Sequence, residues 1–187
     1  DRLSELSEKH DLIVVVDTCA FSQLVGLEEA LTNLRKKIIV IDHHATNDDL
    51  GSERWIDTSA SAAGVMIGRL LAKLDWPVTA YVAEAMATAM LTDTGWLRFS
   101  NTNPEALRMM ADWVAAGVRM EVLYRRIFQA DRPERLRLMG RAMERLELFG
   151  NDQLAVMTIR KEDFQQTGAN QNETENLINE SLRIKTV

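Results

Sequence analysis

The stretch KKIIVIDHHATNDD, Lys36–Asp49, runs four branched apolar residues directly into Asp42-His43-His44. Such a run keeps no polar face for water, which suits a strand of a parallel sheet covered on both faces. DLIVVVD, Asp11–Asp17, has the same character and also ends on an aspartate. Between the two, SQLVGLEEALTNLRKK is long enough for a crossover helix, so the unit reads strand–helix–strand. ERWID, Glu53–Asp57, reads as a short third strand.

Working outward, SAAGVMIGRLLAKL (Ser61–Leu74) and TAYVAEAMATAMLTD (Thr79–Asp93) read as helices, the second with alanines that allow close packing. TNPEALRMMADWVAAG (Thr102–Gly117) carries a capping signature, with Thr102, Pro104 in the first turn and Glu105 three residues after the threonine. Gly117 suits its C-terminal stop. RPERLRLMGRAMERLELF (Arg132–Phe149) reads as further helix, and its arginines, interleaved with acids, as a solvated face. Gly150-Asn151-Asp152 is a turn signal, and QLAVMTIR (Gln153–Arg160) alternates like a strand. The composition shift at Gly150 marks the expected domain boundary. The fold class expected is α/β, a parallel sheet flanked by helices, followed by the start of a second α/β domain.

Composition narrows the function. Of 187 residues, 46% are hydrophobic and 27% charged, which is ordinary for a globular protein. A net charge of −6 provides no global field for long nucleic acid. Any anionic substrate must meet local positive charge, metal ions included. Cys19 is the single cysteine, so no internal disulfide can form, and a reducing cytoplasm is the expected location. No apolar run reaches the roughly 20 residues of a membrane span, and no membrane partner is expected.

In open parallel sheets, ligands bind beyond the carboxyl ends of the strands. Asp17 and Asp42-His43-His44 stand at two such ends, and Asp93 in MLTDTGWLRFSNT is a third acidic position after an apolar helix. Carboxylates and imidazoles together suit divalent ions such as Mn²⁺ or Zn²⁺. Each residue alone also reads as a cap, a turn residue or a solvated group. Convergence of all three segments is what argues for a metal site.

VVVDT, VIDHH and LTDTGWLRFSNT, in that order, resemble three successive motifs of the DHH phosphoesterase superfamily, and SASAAGVMIGRLL resembles the segment that family carries between the last two. The resemblance covers most of residues 10–125. It is strongest toward the bacterial branch that degrades very short RNA and dephosphorylates 3′-phosphoadenosine 5′-phosphate. It implies metal ligation by Asp17, His43 and Asp93, with Asp42 orienting the histidines and supporting the turn. It implies that His44 faces substrate phosphate and that Arg98 lies near the rim of the site. All of Asp17, Asp42, His43, His44 and Asp93 are thereby expected in the catalytic set. The implied cofactor is Mn²⁺, two ions in the intact enzyme, with Mg²⁺ or Co²⁺ as alternatives. The implied partners are short single-stranded RNA or nucleotide substrates, with a homodimer left open.

Two family elements find no match: an earlier strand with Asp-x-Asp, and a Gly-rich C-terminal motif. The chain opens in what reads as mid-helix, without an initiator Met, and SLRIKTV at its end reads as the opening of a strand. It is therefore expected to be an internal piece with little activity alone. Residues 1–125 would be the DHH domain without its first strand and motif, 126–150 a helical linker, and 151–187 the start of a DHHA1-like substrate-binding domain. Competing readings are a cyclic-dinucleotide phosphodiesterase or polyphosphatase on the same site, or a non-catalytic metal- or nucleotide-binding fragment.

Overall fold

The structure, a computed structural model, describes residues 9–33, 37–45, 48 and 50–187. The expected opening mid-helix lies almost wholly outside these residues. The chain divides into two compact units, Asp1–Leu123 and Tyr124–Val187.

In the first unit, β1 (Leu12–Val16), β2 (Lys37–Asp42) and β3 (Glu53–Ile56) form a parallel sheet in the order β1-β2-β3. Val16 pairs with Ile41, and Ile41 pairs in turn with Trp55. The central strand explains its own sequence. Ile38 and Val40 pack on one face with Leu31 of α1 (Glu28–Asn33), while Ile39 and Ile41 pack on the other with Met66 of α2 (Ala63–Lys73). Burying each such side chain contributes about 1.5–3 kcal/mol, so β2 is anchored from both sides.

β1 departs from expectation. Ile13 and Val15 join the first face, but Leu12, Val14 and Val16 are 43–50% exposed. Among the described residues β1 is an edge strand of the sheet, and α2 packs over β2. The crossover helix also begins later than expected, because a 3₁₀ turn at Phe21–Gln23 takes its first part and α1 begins only at Glu28.

A helical layer forms the main core. α3 (Ala80–Asp93) starts at Thr79, whose hydroxyl accepts the Val82 N–H at 3.3 Å. Ala83 and Ala87 are fully buried beside Met86, Met90 and Leu91. The close approach comes from Gly64 of α2: a Cβ there would lie 2.5 Å from the Met86 carbonyl oxygen. α4 (Pro104–Ala115) adds Ala106, Met110 and Trp113 to this core. Its cap is Asn103, not Thr102: the Asn103 Oδ1 accepts the Ala106 N–H at 2.9 Å. Glu105 does not close a capping box because Arg69 engages its carboxylate. Gly117 follows the helix at φ +113, as the C-terminal stop requires.

α5 (Met120–Phe128) runs through the division between the units. In the second unit α6 (Pro133–Glu144) ends earlier than expected, and Glu147–Phe149 forms β4, antiparallel to β5 (Leu154–Val156). The reason is the turn: Gly150, Asn151 and Asp152 all adopt left-handed φ of 56–63° and reverse the chain. Residues 126–150, expected as a linker, lie inside this unit. α6 packs on α7 (Lys161–Thr167) around Leu138, Ala169 and Leu177. Its arginines are not merely solvated. Arg135 pairs with Asp131, and Arg145 reaches the buried Asp163 carboxylate. SLRIKTV forms no strand; it falls in a 3₁₀ helix over Leu177–Arg183 and the turn after it. Among the described residues no helix is long and apolar enough to cross a membrane.

Candidate metal centre

The site is built at the carboxyl edge of the sheet. Asp17 follows β1, its N–H still bonded to the Ile41 carbonyl at 3.0 Å, and it adopts φ +66. That left-handed turn is unfavourable for a side-chain-bearing residue and takes the chain sharply off the strand axis. Asp42 ends β2 and is completely buried. Its Oδ1 accepts the His43 N–H at 2.8 Å, the His44 N–H at 3.3 Å and His44 Nδ1 at 2.7 Å. Asp42 thus closes the turn that presents both imidazoles. Ligand atoms of Asp17, Asp42, His43 and His44 all lie within 4.8 Å of one another.

Asp93 arrives from the helical layer as the last residue of α3. His43 Nε2 lies 3.4 Å from Asp17 Oδ1 and 3.2 Å from Asp93 Oδ2. Neither His43 Nε2 nor Asp93 Oδ2 has a hydrogen-bond partner, although both atoms are buried. They are close without being bonded. Buried polar atoms without partners are rare and call for an explanation. A cation between two carboxylate oxygens and a neutral imidazole nitrogen satisfies all three, so the residues present fit a divalent metal.

The electrostatics agree. Burial, then the Asp17 carboxylate, pushes the Asp93 carboxyl above its ordinary range. The carbonyl end of a helix also carries partial negative charge, which disfavours Asp93 further and attracts a cation. Asp42 behaves in the opposite way. Burial opposes its ionisation, but hydrogen bonds from Cys19, His44 and the backbone N–H groups of His44 and His43 hold it below the usual carboxylate range. His44 is raised, chiefly by its bond to Asp42. Burial, then the bond to Asp42, pushes the Cys19 thiol up to about 11.

The loop after Asp93 is left-handed at Gly95, Trp96 and Leu97, with φ of 54–64°. It is braced locally. The Thr94 hydroxyl accepts the Leu97 N–H at 3.1 Å, and Arg98 Nε donates to the Gly95 carbonyl at 2.7 Å. Arg98, expected at the substrate rim, is exposed and braces this loop, while Trp96 packs against the helical core.

Sequence reasoning missed two sets of ties. Arg69 binds Glu105 through Nε and Nη2 and Asp57 through Nη1. Asn101 Nδ2 donates to the carbonyls of Ser61 and Asp93, both at 3.2 Å. Partners lie up to 40 residues apart, and no local pattern signals such pairings.

An Asp/His cluster at the carboxyl edge of a parallel sheet, closed by an aspartate at a helix end, is the arrangement that the sequence resemblance implied, and similar proteins support a DHH-family relationship over part of their length. Over 131 residues, 70% of this chain, the sequence is 36% identical to the bifunctional oligoribonuclease and PAP phosphatase NrnA of Thermus thermophilus. It is 26% identical over 145 residues, 76% of this chain, to the NrnA of Bacillus subtilis, described in the same words. The chain spans 39% and 46% of the length of these two relatives. An exopolyphosphatase-related protein from Bacteroides fragilis shares the fold with a TM-score of 0.91 at 23% identity, covering 100% of this chain and 57% of that one. No family model matches the sequence.

Proposed function

We propose that this chain carries the metal-binding core of a metal-dependent phosphoesterase acting on short oligoribonucleotides and on nucleotide bisphosphates such as 3′-phosphoadenosine 5′-phosphate. The observation that carries this reading is the unpartnered His43 Nε2 facing carboxylates of Asp17 and Asp93. Similarity to the two oligoribonuclease and PAP phosphatase relatives supports the substrate class.

Asp17, His43 and Asp93 would hold the ion, with Mn²⁺ our choice among divalent cations. A second ion, with further ligands, belongs to the same proposal. A divalent cation in such a site supplies Lewis acidity toward a phosphoryl oxygen and toward water. The chain's own residues do the rest. Asp42 accepts the Nδ1 proton of His44 and favours its imidazolium form, whose Nε2–H would donate to a phosphate oxygen. Its hydrogen bonds to the His43 and His44 N–H groups fix the turn, so the imidazoles stand ready before substrate arrives. The negative cluster repels an anionic substrate until a cation is bound, which makes metal loading a precondition for binding phosphate. In this proposal residues 151–187 begin a substrate-binding domain.

The test is a calorimetric titration with Mn²⁺ together with hydrolysis of a dinucleotide and of 3′-phosphoadenosine 5′-phosphate. We expect Mn²⁺-dependent turnover of both by the intact protein and little by this chain alone, with nearly all activity of the intact protein lost in Asp17→Ala and a turnover defect with retained metal affinity in His44→Ala. Turnover of polyphosphate or a cyclic dinucleotide in preference to both substrates would overturn the assignment. Absence of Mn²⁺ binding would overturn the metal centre itself.

A further inference from the structure

We infer that Asn101 is a positioning residue that sets the separation between Asp93 and His43. The inference deepens the metal-centre reading and rests on it for its metal readout only. Asp93 sits at the end of α3, where the helix leaves carbonyl groups without intrahelical partners. The Asp93 carbonyl accepts Asn101 Nδ2 at 3.2 Å, and the same nitrogen donates to the Ser61 carbonyl at 3.2 Å. Ser61 Oγ donates back to the Asn101 carbonyl at 2.5 Å, from a fully buried position. The amide orientation follows from its partners, since a flipped Asn101 would set Oδ1 against two carbonyl oxygens.

This clasp joins the two layers that carry the candidate ligands. Ser61 lies on the link between β3 and α2. Asp57, at the start of that link, donates its N–H to the carbonyl of Asp42 at 3.0 Å, one residue before His43. On the other side, the strained turn at Gly95, Trp96 and Leu97 separates Asp93 from Asn101. Left-handed residues at non-glycine positions persist only when surrounding contacts over-determine them. Asn101 provides such a contact from outside the turn. Without it, Asp93 keeps only the helix end and the bonds within the turn, none of which ties it to the Ser61 link, and its spacing to His43 is free to widen.

Two variants of the full chain test this. Asn101→Ala removes the donor, and Asn101→Asp keeps the shape but sets a carboxylate against the two carbonyls. Asn103→Ala is the control: it removes the α4 cap and the bond to the Ser59 carbonyl but leaves the clasp intact. We expect both Asn101 variants to fold, to bind Mn²⁺ ~10-fold more weakly, as loss of a ligand-orienting partner does, and to show an altered Co²⁺ absorption spectrum. Asn103→Ala should lower the melting temperature without either change. A metal-free structure of Asn101→Asp should show Asp93 withdrawn from His43. Wild-type affinity and spectrum in a folded Asn101 variant, or an equal loss in Asn103→Ala, would overturn the inference. If neither Asn101 variant folds, Ser61→Ala, which breaks the return bond, decides by the same measurements. If the wild-type chain binds no Mn²⁺, the metal reading fails, and the His43–Asp93 separation in the metal-free variant still decides the positioning role.

Discussion

Replacing Arg69 by methionine keeps the aliphatic stem and deletes the guanidinium that ties the sheet edge to α4. Arg69 grips Glu105 through two bonds of 2.7 and 2.5 Å and also binds Asp57. The three side chains are 26–36% exposed. Exposed ion pairs contribute ~0.2–1 kcal/mol and charge-assisted hydrogen bonds ~1.5–3 kcal/mol. Partial exposure places each carboxylate partner near ~1 kcal/mol, so Arg69→Met should cost ~2 kcal/mol, or ~8 °C in melting temperature for a unit of this size. The pH dependence has a definite sign. Hydrogen bonds from Ser59 and then Arg69 hold the Asp57 carboxyl at about 2, and Arg69 chiefly holds Glu105 below its ordinary value. Both are depressed acids. Their stabilisation is complete above the unfolded values, near pH ~4, and is lost as pH falls toward the folded ones. The deficit of Arg69→Met should therefore be constant from about pH 5 to about pH 7 and shrink as pH falls toward about 2. Thermal melts of both proteins across this range provide the assay. A deficit below ~2 °C at pH 7, or one that grows as the solution is acidified, would refute the reasoning.

Asp17→Asn should weaken Mn²⁺ binding at least ~10-fold yet raise the metal-free melting temperature by ~2 °C, because Asp17 disfavours the Asp93 carboxylate and asparagine tolerates φ +66; calorimetry and thermal melts check the two signs. Gly64→Ala should destabilise by ~1–3 kcal/mol, since the new Cβ meets the Met86 carbonyl oxygen at 2.5 Å and backbone cannot yield cheaply; urea unfolding would measure it. Asp163→Asn should lower the stability of the second unit at neutral pH, with the difference vanishing as pH falls through about 2, where Arg145 holds the wild-type carboxyl; melts at two pH values would show it.

What was legible in the sequence follows a physical division. The three strands declared themselves because uninterrupted branched apolar runs have few other stable uses. Asp17, His43 and Asp93 converge as expected because strand ends and helix ends are fixed by local signals. The exposed face of β1 was not legible, since Leu12, Val14 and Val16 look the same whether or not a layer covers them. Strand β4 was lost inside an apparent helix because its direction is set by three left-handed residues downstream, not by ELF itself. The cap fell one residue later than the pattern suggested because Glu105, needed for the capping box, pairs with Arg69 across 36 residues of sequence.

The same division explains how the site is made. Much of its scaffold is satisfied: Asp42 Oδ1 is bonded into its turn, Thr94 Oγ1 both donates to the Met90 carbonyl at 2.6 Å and accepts from Leu97, and Asn101 ties the helix end. Its contents are not. Asp17 and Asp93 repel, Asp93 sits at the negative end of a helix, and His43 Nε2 has no partner. Each unmet interaction disfavours the metal-free site, and one cation relieves all of them. A rigid frame around mutually repelling ligands prevents the relaxation that would otherwise dissipate this free energy. On the proposed metal reading, the affinity for a cation would be set as much by the bonds that Asp42 and Asn101 make to the frame as by Asp17, His43 and Asp93.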